Sequence, residues 1–91
     1  MKPSGYVVTV LVDADLVEPF TRTAQRWLAG PLETDPADPA GRSRAQLDLD
    51  GPDHAVRTLV IYGAGVEVVT PDELRERVVA HAEAIVERYR A

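Results

Sequence analysis

Gly65-Val66-Glu67-Val68-Val69-Thr70-Pro71-Asp72-Glu73-Leu74-Arg75 is a β-branched run that becomes a helix start within one residue. Thr70 is a good N-cap, because its hydroxyl can accept a backbone N–H of the first turn. Pro71 falls at the first helical position, where a missing N–H costs nothing and the fixed φ suits the helix. Glu73 completes a Thr-x-x-Glu capping box, and Asp72 adds negative charge at the positive end of the dipole. The stretch predicts a strand over Val66–Val69 and a helix from Pro71 to Arg90. It holds no catalytic motif.

Downstream, Leu74, Val78, Ala82, Ile85 and Tyr89 recur at helical spacing, with Val79 and Val86 beside them. Glu73 and Arg77 form an i,i+4 pair in the favourable order. Upstream lies an ambiguous segment, Gly51–Gly63. Its Thr-Leu-Val-Ile-Tyr run has strand propensity. Yet Asp50-Gly-Pro-Asp suits a helix start, and Ala55, Val56, Leu59 and Val60 fall on one helical stripe. A strand here would need an extra tight hairpin through Gly63-Ala-Gly65, so a helix over Pro52–Tyr62 is expected, ended by Gly63.

Nearer the N-terminus, Tyr6–Val12 is almost continuously apolar, which suggests a central strand covered on both faces. Asp13–Ala29 follows as a helix with Leu16, Phe20, Ala24, Trp27 and Leu28 on one stripe. Pro19 would clash deep inside a helix, so the start should lie just before it, with Asp15 as cap. Gly30-Pro31 stops it. Leu32–Asp35 suits a short edge strand, and Pro36–Gly41 a mobile hairpin tip. Ser43–Asp50 alternates cleanly as a half-buried strand. The order is strand, helix, strand, strand, helix, strand, helix. It implies an α+β fold, a ferredoxin-like βαββαβ sandwich with an additional C-terminal helix. One domain is expected over residues 1–91, with a flexible start at 1–5 and the long helix at 71–90.

Ten basic residues face 15 acidic ones, a net charge of −5 that disfavours gripping a phosphate backbone. Arg22 and Arg26, four apart on one helix face, and Arg42 and Arg44, two apart on one strand face, are the candidates for ligand or nucleic-acid contact. Ordinary solvated charge is the simpler account. With no cysteine, disulfides and thiolate metal sites are excluded. No apolar run approaches the roughly 20 residues of a membrane span, and the first residues lack a signal-peptide core, so a cytoplasmic setting with no membrane partner is expected.

His54 and His81, the two histidines, fall on different predicted helices, so no metal is expected. Asp48-Leu-Asp50-Gly51-Pro-Asp53 is too short for a calcium loop and lacks its closing Glu. The two serines, Ser4 and Ser43, have no neighbouring histidine. Gly63-Ala-Gly65 precedes a strand rather than a helix, the wrong context for a dinucleotide fingerprint. No catalytic residues, enzyme activity or cofactors are expected. Trp27, Tyr62 and Tyr89 lie on or beside apolar stripes, where core packing is the plainer role.

From about Tyr6 to Tyr89 the chain resembles the WCX domain, the C-terminal extension of WYL-domain transcriptional regulators. The residues that carry the resemblance are Gly63, the apolar strand Val66–Val69, Pro71, Glu73, Leu74, Arg75 and Tyr89. It implies a bacterial, cytoplasmic role in transcription control. In such regulators a helix-turn-helix domain binds DNA, a WYL domain senses an effector, and the extension helps to dimerise and relay the signal. The sequence contains neither of the other two domains, so DNA would be reached only through them. A non-catalytic regulatory and dimerisation module follows as the expected function, with the WYL and helix-turn-helix domains and a second copy as partners. A spare face of the first strand (Tyr6, Val8, Val10 or Val7, Thr9, Leu11) and the last helix are the expected interface, through Val8, Val10, Val86 and Tyr89. Arg75 is expected to pair with Asp72 or a neighbouring carboxylate. The alternative is a ferredoxin-like domain that binds a small-molecule or nucleotide effector.

Overall fold

The computed structural model describes residues 5–90. The flexible start expected over residues 1–5 therefore lies, apart from Gly5, outside the described residues. Gly5 donates its N–H to Asp48 Oδ1 at 2.9 Å. The chain is an α+β fold in which helices α1 (Val17–Thr23), α2 (Pro52–Val60) and α3 (Asp72–Arg90) accompany one four-stranded sheet. The strands β1 (Tyr6–Val12), β2 (Glu33–Thr34), β3 (Ser43–Leu49) and β4 (Val66–Thr70) lie in the order β2-β3-β1-β4, each antiparallel to its neighbour.

Strand alternation decides which face is covered. Val8, Val10 and Val12 of β1, Ala45, Leu47 and Leu49 of β3, and Val66 and Val68 of β4 all point to one side and are buried. Phe20 and Ala24 from the first helical segment, Ala55, Val56 and Leu59 from α2, and Leu74 from α3 close that side into the core. β1 is central, as its apolar run suggests. Its second face is not sealed, however: Val7 is 50% exposed and Thr9 and Leu11 are partly so, among Arg44, Gln46 and Glu67 of the flanking strands. Its outer positions tolerate water because polar neighbours share that face.

The segment expected as one helix over Asp13–Ala29 is three. A 3₁₀ turn (Ala14–Leu16) leads into α1, and a second (Gln25–Trp27) follows it. Pro19 sits in the first turn of α1, where no backbone donor is lost, and Asp15 makes no capping bond. Thr21 and Thr23 donate their hydroxyls back to the Val17 and Pro19 carbonyls at 2.7 and 2.9 Å, an arrangement that weakens a helix. The chain then leaves to pair with β3, through a Leu28–Leu47 bridge and an Ala29 N–H bond to the Gln46 carbonyl. The ambiguous 51–63 segment is helical, and Gly63 after it takes a positive φ of 62°.

At the strand–helix junction the capping box does not form. Thr70 stays in β4 opposite Thr9, because a register shift between Thr9 and Val10 carries the pairing one residue further. Pro71, which follows a cis peptide bond, sits just before the helix, and its carbonyl accepts from Leu74 and Arg75. Glu73 is engaged elsewhere, by the Tyr6 hydroxyl at 3.2 Å.

Candidate functional site

α3 is where the molecule offers surface. A 19-residue helix is about 28 Å long at 1.5 Å per residue. Leu74 in its first turn is fully buried and Val78 partly so, while every residue from Val79 to Arg90 is exposed. The apolar stripe continues along this overhang, with Val79 56%, Ile85 44%, Val86 44% and Tyr89 86% exposed. Beside it opens a groove of about 590 Å³. The end of α2 (Leu59, Val60) and β4 (Val66, Val68) form one wall, and Val78, Ala82 and Ile85 form the other. Arg42, Glu67, Arg75 and His81 stand at its margins.

Those charges are largely committed to one another. Arg42 Nη1 donates to Glu67 Oε1 at 2.7 Å, and its Nε and Nη2 donate to the Asp38 carboxylate, the latter at 2.9 Å. Asp38 also accepts the Arg42 backbone N–H at 2.8 Å. The Arg42 side chain and backbone hold the Asp38 carboxyl below its ordinary range, and Asp38 and Glu67 in turn raise the Arg42 pKa. Asp35 is lowered likewise, by the Ala37 backbone N–H and by Arg44, whose Nη2 lies 3.0 Å away. The connection expected as a mobile tip is thus laced to itself and to β4. Arg75 donates to the Val68 carbonyl at 3.1 Å and lies 3.9 Å from Glu67, not beside Asp72. It covers a backbone group on the free edge of β4.

The four candidate arginines do not form a patch. Arg22 and Arg26 are exposed on the helical side of the sheet, with Arg26 over the Trp27 ring at 5.5 Å. Arg42 and Arg44 belong to the other side and are ion-paired. Of the expected interface residues, Val86 and Tyr89 are on the exposed overhang. Val8 and Val10 are 0% exposed, because they point into the core under the helices, so no neighbour can reach them. The outward residues of β1 are Val7, Thr9 and Leu11.

His54 accepts the Asp50 N–H at Nδ1, 3.2 Å away, and sits edge-on to Trp27 at 5.3 Å. His81 is exposed on α3. Among the described residues no three His, Asp or Glu gather as a metal site would require, and no helix is long and apolar enough to cross a membrane. Tyr62 packs against Phe20 with ring centroids 4.9 Å apart and the planes tilted by 58°, and its hydroxyl lies 2.5 Å from Thr23 Oγ1. Sequence reasoning missed the Asp38–Arg42–Glu67 link. The i,i+4 spacing of Asp38 and Arg42 was a visible signal, but Glu67 joins them only through the fold.

The WCX domain family matches residues 4–86. The chain belongs to the WCX family. Among solved structures, this WCX domain is similar to the proteasome accessory factor B/C (PafBC) of Arthrobacter aurescens, with a TM-score of 0.74 and 26% identity. The likeness covers 93% of this chain and 12% of that one, so the WCX domain spans a small part of that protein's length. No curated protein matches the chain.

Proposed function

We propose that this WCX domain is a non-catalytic regulatory and association module of a bacterial, cytoplasmic WYL-type transcriptional regulator. The family match over residues 4–86 carries the proposal. The similarity to PafBC, over 93% of this chain at a TM-score of 0.74, agrees with the family match. The strand order β2-β3-β1-β4, with two helices on one face, supports reading the fold as ferredoxin-like, with α3 added after the second βαβ half. Helix-turn-helix and WYL domains are its partners within the regulator, and DNA is contacted through them. The net charge of −5 agrees with that division of labour.

The gene neighbourhood tests this. A helix-turn-helix and a WYL segment encoded directly upstream support the assignment. A neighbourhood without them, joined to promoter activity that does not change when this domain is deleted, overturns it.

One observation favours a second reading, binding of an effector by the same domain. The groove beside α3 is mostly apolar with a few charged groups at its margin, Arg42, Arg75 and Glu67, the layout of many small-molecule sites. A thermal-shift screen with nucleotides and amino acids separates the two, since a ligand of the folded state must raise the midpoint.

A further inference from the structure

We draw no further inference here: the strongest candidate, the apolar groove between β4 and the exposed half of α3, carries none, because nothing in the structure shows what covers it.

Discussion

Arg42 reaches past β1 to donate a 2.7 Å hydrogen bond to Glu67, tying the connection before β3 to the strand at the far edge of the sheet. The two residues are neighbours only because β3 and β4 both flank β1. The same guanidinium grips Asp38, so one side chain fastens a turn whose composition promises mobility. Arg42→Ala should therefore release residues 36–41. Limited proteolysis should cut there several times faster than in the parent chain, with an unchanged far-ultraviolet dichroism spectrum. The thermal midpoint should fall only slightly, because these ion pairs fasten a surface turn and not the core, and Glu67 is half exposed.

Acid should loosen the same turn. Asp35 and Asp38 have carboxyls lowered from the ordinary value of 3.8, the first chiefly by the Ala37 N–H and the second by Arg42. A carboxyl depressed in the folded state stabilises it fully above the unfolded pKa and loses that contribution as pH falls through the folded one. The window is thus below about pH 4. Amide exchange at Ala37 and Arg42, whose N–H groups bond these carboxylates, should accelerate there beyond the intrinsic acid trend. Amides of β1 should stay protected over the same range. Unchanged protection at residues 37 and 42 down to pH 2.5 would remove the carboxylates from this role.

Gly65 tests how closely the start of β4 meets the segment after β1. Its carbonyl accepts the Asp13 N–H at 2.9 Å, and a Cβ there would come within 1.9 Å of Leu16 Cδ1. Leu16 is only partly buried, so its side chain can swing away at a modest cost. Gly65→Ala should destabilise by about 1 kcal/mol in urea unfolding. Ala64→Ser, one residue earlier at an exposed position, should change it by less than about 0.5 kcal/mol.

Much of this architecture was legible in the residues. Alternation in Ser43–Leu49 and the continuous run of Tyr6–Val12 give β3 and the central β1 because side-chain period and burial are local signals. The stripe of Pro52–Val60 outweighed its β-branched content because the packing of Ala55, Val56 and Leu59 rewards a helix. What failed depended on distant partners. Thr70 looks like a cap, but its backbone is recruited into β4 opposite Thr9. Val8 and Val10 look like one of two equivalent faces, and only the placement of the helices decides that they are core. Of the candidate arginines, Arg44 reads as free charge because Asp35 is nine residues away, and Arg42 because Glu67 is 25 away and the i,i+4 signal of Asp38 is passed over.

α3 divides into a half that belongs to the fold and a half that does not, and two substitutions separate them. Leu74 is 0% exposed and joins the core beneath α2 and β4, so Leu74→Ala removes buried methyl groups and leaves a cavity. The cost should be about 2–5 kcal/mol. In a domain of this size each kcal/mol shifts the midpoint by about 4–8 °C, so the melting temperature should fall by at least about 8 °C. Val86 lies three turns further along and touches no part of the core. At low protein concentration, where association contributes nothing to the midpoint, Val86→Ser should leave stability within about 0.5 kcal/mol. Calorimetry of the two variants side by side checks the division. A comparable loss from Val86→Ser under those conditions would mean that the overhang is part of the folding unit and not a surface held ready for another chain.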